Sequence, residues 1–149
     1  MKALLIIDVQ KGYIERYGRG LLDRINQRIL RAVENRALII YVKNVRRLRR
    51  GKRINELAEG LNVSSSYIVC KETASALKSE EMLGMLKENH ITEIEIIGID
   101  GNSCVAGSAE DALRYGYKVI LPCSCIGAIN MERFKKVLLS LAEKGIAIL

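Results

Sequence analysis

No run of about twenty apolar residues occurs anywhere in this chain, so a transmembrane helix is not expected. The opening stretch MKALLIIDVQKG carries an aspartate inside a short apolar run and no small-residue cleavage site, which reads as a first strand and not as a signal peptide. Cysteines are few: Cys70, Cys104, Cys123 and Cys125 do not make a disulfide framework for 149 residues, and a reducing, cytoplasmic setting is expected. Proline is limited to Pro122 and histidine to His90, while tryptophan is absent. There is no linker, internal repeat or low-complexity tract to divide the chain, and 49% apolar residues suit one folded domain over residues 1–149. Basic residues concentrate in one segment that has no acidic residue. Lys43 to Arg53, KNVRRLRRGKR, holds seven basic residues, which account for the whole +7 net charge.

Apolar patterning supplies the architecture. KALLIIDV (2–9), ALIIYV (37–42), YIVC (67–70), the β-branched run around Ile94, Ile96, Ile97 and Ile99, Tyr117 to Leu121 and Ile146 to Leu149 all read as strands. Between them, Leu21 to Asn35, a segment N-capped by Ser79 and running to about residue 89, the stretch after Cys104, and Met131 to Lys144 show helical spacing. A short helix is expected over Asn55 to Leu61. Strand–helix alternation with strands apolar throughout predicts an α/β fold: a three-layer αβα sandwich around a mostly parallel sheet of about six strands.

Parallel strands share one carboxyl edge, and chemistry gathers there. Asp8 follows the first strand, Lys71 ends the third, and Cys104 follows the glycine-bracketed turn after the fourth. A thiol at a helix mouth beside a lysine favours its thiolate, and an aspartate can take the thiol proton and return it to a leaving group. Taken singly, Cys104 fits a buried small hydrophobe equally well, and Asp8 with Lys71 fits a structural ion pair. Together at one edge the three point to nucleophilic catalysis. Cys70 is read as a strand residue facing the core, and Cys123 and Cys125 as core thiols, since their C-x-C lacks further ligands for a metal.

The aspartate in LLIIDVQKGY, the lysine in CKETASAL and the cysteine in GIDGNSCVAGSAEDALRYGYKVIL resemble the isochorismatase-like cysteine hydrolases, the superfamily that includes nicotinamidases. The resemblance spans nearly the whole chain in the same order. It implies Cys104 as nucleophile, Asp8 as general base and then acid, and Lys71 as electrostatic partner. It further implies a cis peptide at Ile99–Asp100, an oxyanion hole from the backbone N–H groups of Asp100 and Cys104, and Tyr13 against the substrate. The implied reaction is attack on a C–N carbonyl, a thioester acyl-enzyme and hydrolysis.

The sequence departs from the family at two neighbouring positions. Asp100 stands where a small or apolar residue is usual, and a carboxylate there opposes an oxyanion if it points inward. Gly101 stands where threonine is frequent. The nicotinamidase branch binds a divalent metal through an aspartate and histidines between the second and third strands. No histidine lies there, so no metal and no cofactor are expected, and His90 reads as a surface or capping residue. The isochorismatase branch cleaves vinyl ethers without this cysteine, so Cys104 favours amidase-type chemistry. Members of the family commonly carry longer insertions over the site and commonly form oligomers, which implies at least a homodimer here.

The basic segment Lys43 to Arg53 follows the second strand and so overhangs the same edge. There it serves as a solvated loop, recruits an anionic small-molecule substrate, or binds an acidic protein or nucleic acid. Nucleic acid is the less favoured partner, because the segment has no aromatic residue for base stacking. Two other functions compete with the hydrolase. One is a catalytically reduced member acting as an interaction module through this segment. The other is a redox sensor built on Cys104.

Overall fold

The computed structural model describes residues 1–45 and 56–149. Six strands form around the apolar runs: β1 Lys2–Ile7, β2 Leu38–Asn44, β3 Ile68–Lys71, β4 Glu93–Gly98, β5 Lys118–Leu121 and β6 Ala147–Ile148. They hydrogen-bond in the order β3-β2-β1-β4-β5-β6, and every pair is parallel. The register sets Ile7 of β1 opposite Val42 of β2 and Gly98 of β4, so the central strands end together. The order turns back at β1, with β2 to one side and β4 to the other, which opens a crevice at the carboxyl ends of β1 and β4.

The period-two alternation of a strand sends its side chains to both faces, and the two faces are covered unequally. Ala3, Leu5 and Ile7 of β1 join Ile94 and Ile96 of β4 on one face. They pack there under three helices: α2 Glu80–Glu88, α3 Ala106–Arg114 and α4 Met131–Glu143. Met82, Leu86, Ala109, Ala112, Phe134 and Leu141 are the buried residues those helices contribute. Leu4 and Ile6 face the other way, onto Leu21, Ile25 and Ile29 of α1 Leu21–Glu34. The expected sandwich is thus three helices against one, with loop residues such as Ala58 and Leu61 completing the thinner layer.

That thinner layer includes a charge the strand pattern hides. Glu95 lies in the middle of β4 and is 5% exposed. Arg28 of α1 donates to both of its oxygens through Nε and Nη2. A buried carboxylate needs such a two-pronged partner, because an unpaired one would lose its hydration without replacement.

Two expectations need correction. Cys70 does not face the core; it is exposed. Lys71, the next residue, is turned inward at 4% exposure, and in a strand the neighbour of an inward residue points outward. The short helix expected over Asn55 to Leu61 is not formed by residues 56–61, where Leu57 makes an isolated antiparallel bridge to Gln10 and a turn follows. Of the basic segment, residues 46–53 lie outside the described residues. Among the described residues no helix is long and apolar enough to cross a membrane. Helix ends match expectation closely. Ser79 caps α2 by accepting from the Met82 N–H at 3.2 Å, and His90 sits at the helix–strand junction with φ 53°.

Gly98 is the point where the sheet depends on a missing side chain. It has φ +116°, and a Cβ there would stand 2.2 Å from the carbonyl oxygen of Ile7 on the adjacent strand. Gly98→Ala must therefore strain the backbone and push β4 from β1 together. Chemical denaturation should show a loss on the order of 3 kcal/mol; a loss below about 1 kcal/mol would mean the strand pair tolerates the added methyl group.

Candidate active site

Asp8 is the first residue past β1. Its backbone turns sharply, with φ 54°, while its N–H still bonds the Val42 carbonyl at 3.0 Å. This bend lifts the carboxylate out of the strand line while keeping it 5% exposed. Lys71 ends β3, two strands away. Its ammonium reaches Asp8 Oδ2 at 3.1 Å, the Thr73 carbonyl at 2.9 Å and Cys104 Sγ at 3.5 Å. An ammonium has three hydrogens, and these three acceptors match them. The ion pair is shielded from solvent, with side-chain exposures of 2% for Lys71 and 8% for Asp8. Asp8 Oδ1 is buried without a hydrogen-bond partner among the described residues.

Cys104 lies in a single π-helical turn, Gly101–Val105, that leads from β4 into α3. Gly101 is explained by its surroundings: a Cβ there would fall 2.6 Å from the ring of Phe134. The aromatic ring occupies the room a threonine side chain would need. The Ile99–Asp100 peptide bond is cis, at the position the resemblance implies.

Proton affinities at the site differ from the sequence expectation of a resting thiolate. Burial pushes the Cys104 thiol up, the negative charge of Asp8 adds to the effect, and the Lys71 charge opposes both. The thiol therefore holds its proton at neutral pH. Burial also raises the Asp8 carboxyl, against the pull of the Lys71 ammonium. Helix-dipole and lysine arguments pointed the other way because they leave out desolvation, which is the largest influence on both groups.

The Asp100 carboxylate is tied down. Oδ1 accepts from the Asn102 N–H at 2.8 Å, capping the turn. Oδ2 accepts from the Tyr17 hydroxyl at 2.9 Å and the Ile129 N–H at 3.0 Å. Tyr17 comes from the loop after β1, and Ile129 from the loop after β5. The sequence carries no signal for this role of Tyr17, since nothing local joins it to a residue 83 positions away. Sequence reasoning also missed Thr73, whose contribution is a backbone carbonyl. Gln10 was missed too. It is fully buried, and its side chain pairs with both backbone groups of Asn44, fastening the end of β2 to the loop beyond Asp8.

Tyr13 is half-buried and packs against the core cluster under α1. Its hydroxyl is not part of the Asp8–Lys71–Cys104 hydrogen-bond set. Cys125 is buried, with Sγ 3.5 Å from the Arg24 carbonyl, and Cys123 is partly exposed. Among the described residues no group of three His, Cys, Asp or Glu side chains could hold a metal ion. No chemical step is assigned to a metal.

The family model described as the isochorismatase domain matches residues 2–149. An uncharacterized isochorismatase family protein of Bacillus subtilis (strain 168), YaaI, is 28% identical over 161 residues, covering 95% of this chain and 88% of that protein. The crystal structure of an isochorismatase family protein aligns at TM-score 0.87 and 25% identity, over 99% of this chain and 97% of the other. A pyrazinamidase of Pyrococcus horikoshii, solved in complex with zinc, aligns at TM-score 0.82 and 22% identity, over 99% and 98% of the two chains. That last likeness speaks for the fold alone. With the family model matched over residues 2–149 and the fold aligned with that of an isochorismatase family protein at TM-score 0.87, the chain belongs to the isochorismatase family.

Proposed function

We propose that this protein is a cysteine hydrolase that cleaves a small amide or related C–N substrate through a thioester acyl-enzyme. The observation that carries the reading is the Lys71 ammonium, which bridges Asp8 Oδ2 at 3.1 Å and Cys104 Sγ at 3.5 Å inside a buried crevice. A base, a nucleophile and a cation in mutual contact are what thiol acyl transfer requires.

The chemistry proceeds in two halves. The substrate carbonyl oxygen lies against the backbone N–H groups of Asp100 and Cys104, and Tyr13 borders the substrate. Asp8 takes the Cys104 proton as the sulfur attacks the carbonyl carbon, and Lys71 holds the sulfur's developing negative charge. The tetrahedral oxyanion collapses, the C–N bond breaks, and Asp8 gives its proton to the departing amine. A water then replaces the amine, and Asp8 removes one of its protons during attack on the thioester. The carbon–sulfur bond breaks, the acid leaves, and the proton returns from Asp8 to Cys104. The proton that the first half sends out on the amine is replaced in the second half by one from water, so the full cycle restores one proton between Asp8 and Cys104 and no external acid is needed. Named structural neighbours support the amide assignment, since they include pyrazinamidases and nicotinamidases. A homodimer is part of the same reading.

Ammonia release from small primary amides, nicotinamide and pyrazinamide among them, tests it. Cys104→Ala should abolish turnover, and Asp8→Asn should lower kcat by about a hundredfold or more with the fold intact by circular dichroism. Mass spectrometry of the quenched enzyme should find the acyl mass on the peptide holding Cys104. Turnover that survives Cys104→Ala would overturn the mechanism.

The pH dependence carries its own sign. Asp8 must be ionised to accept the thiol proton, and burial has raised its pKa. Below that raised value the base is protonated and the rate falls. The acid limb of kcat/KM should therefore have its midpoint above the ordinary aspartate value of 3.8. Iodoacetamide labelling of Cys104, followed against pH, should have its midpoint above 9.0, the unperturbed thiol value. A labelling midpoint well below that value would show that Lys71 outweighs burial.

A further inference from the structure

An acid immediately before the nucleophile turn calls for a device that keeps its charge from opposing catalysis. We infer that Tyr17 is a positioning residue that acts through Asp100: its hydroxyl holds the Asp100 carboxylate and masks its charge beside Cys104. The inference rests on the proposed role of Cys104.

The geometry carries it. Asp100 begins the turn that presents Cys104, and its own carbonyl accepts from the Ser103 and Val105 N–H groups at 3.2 and 3.1 Å, on either side of the cysteine. Any rotation of Asp100 is felt at the sulfur. Three donors hold its carboxylate: Asn102 N–H, Ile129 N–H and the Tyr17 hydroxyl. Two are backbone groups within the turn and the loop after β5. Tyr17 supplies the sole side-chain donor of the three, and it comes from the far side of the crevice.

The Tyr17 ring is fixed by packing. A Cβ on Gly127 would stand 2.7 Å from its Cδ1 and 2.7 Å from Leu21 Cδ2, so that glycine makes room for the ring. The hydroxyl also stays a donor. Burial first, then Asp100, and then Cys104 push its pKa far above the usual tyrosine value, so it keeps its proton at any working pH.

A carboxylate whose charge is delocalised over three donors disturbs its neighbours less than a free one. The groups that face the Cys104 thiol are Asp8, just past β1, Lys71 from β3 and Ser103 from its own turn, and Asp100 opens that turn. Removing the Tyr17 hydroxyl alone leaves Asp8 and Lys71 in place and unmasks Asp100.

The test is a double-mutant cycle read by the pH midpoint of Cys104 labelling with iodoacetamide. Tyr17→Phe, which keeps the ring, should raise the midpoint by about half a unit and slow labelling near neutral pH about threefold. In an Asp100→Asn background, the same substitution should leave the midpoint unchanged. An equal shift in both backgrounds, or none in either, would overturn the inference. Asp100→Asn by itself gives a second reading that does not depend on Tyr17→Phe folding. With the charge already masked, it should move the midpoint by less than about 0.3 units, and a fall of about one unit would show an unmasked carboxylate. Labelling needs no substrate, so the outcome decides the role of Tyr17 even if no amide is turned over.

Discussion

A carboxylate and an ammonium placed out of water at the rim of an apolar sheet are tolerable only as a pair. Asp8 and Lys71 come from strands separated by β2, and each is less than a tenth exposed. Either alone would be an uncompensated buried charge, with a penalty of several kcal/mol. The pair therefore constrains everything that brings it together. β1 and β3 must end at one level, the chain must bend at Asp8, and Thr73 must turn its carbonyl back to take the third ammonium hydrogen. The Gln10–Asn44 clasp, itself fully buried at Gln10, holds the intervening strand end in register with the bend.

The sulfur completes this arrangement without being ionised by it. Lys71 contacts Cys104, yet burial and the Asp8 charge together outweigh that contact, so the thiol rests protonated. This outcome suits a base-assisted mechanism better than a preformed thiolate would. A standing thiolate beside a standing carboxylate would place two anions around one ammonium. With one proton shared between them, the crevice stays close to neutral before substrate arrives. In the proposed reaction, charge then develops only where the ammonium and the backbone donors can receive it.

Most of this fold was legible because parallel strands write themselves as apolar runs and helices as a 3.6-residue spacing. The meeting of Asp8, Lys71 and Cys104 was legible for a related reason: strand ends in a parallel sheet share one edge. Illegible features were those made by partners distant in sequence. Glu95 is a buried acid in the middle of β4, and the position of Arg28 on α1 explains it. Cys70 was misread because a four-residue strand gives too short an alternation to fix which face is inward, until the lysine beside it settles the phase. The thiol's raised proton affinity was misread for want of a burial estimate.

Asp100 and Gly101 show how a departure from a family pattern can be compensated locally. The ring of Phe134 on α4 takes the space that a side chain at position 101 would fill, so glycine is required there by packing. A bare glycine loosens the backbone at the very turn that must aim Cys104. Asp100 opposes that loosening: it caps the turn through Asn102 and anchors it to the loop after β5 through Ile129. The same two residues that look unfavourable one at a time thus act together. The glycine admits the ring that closes the core below the turn, and the carboxylate restores the rigidity the glycine removes. What remains is the carboxylate's charge, and the Tyr17 hydroxyl from the loop after β1 joins the two backbone donors in answering it without adding a second charge to the crevice.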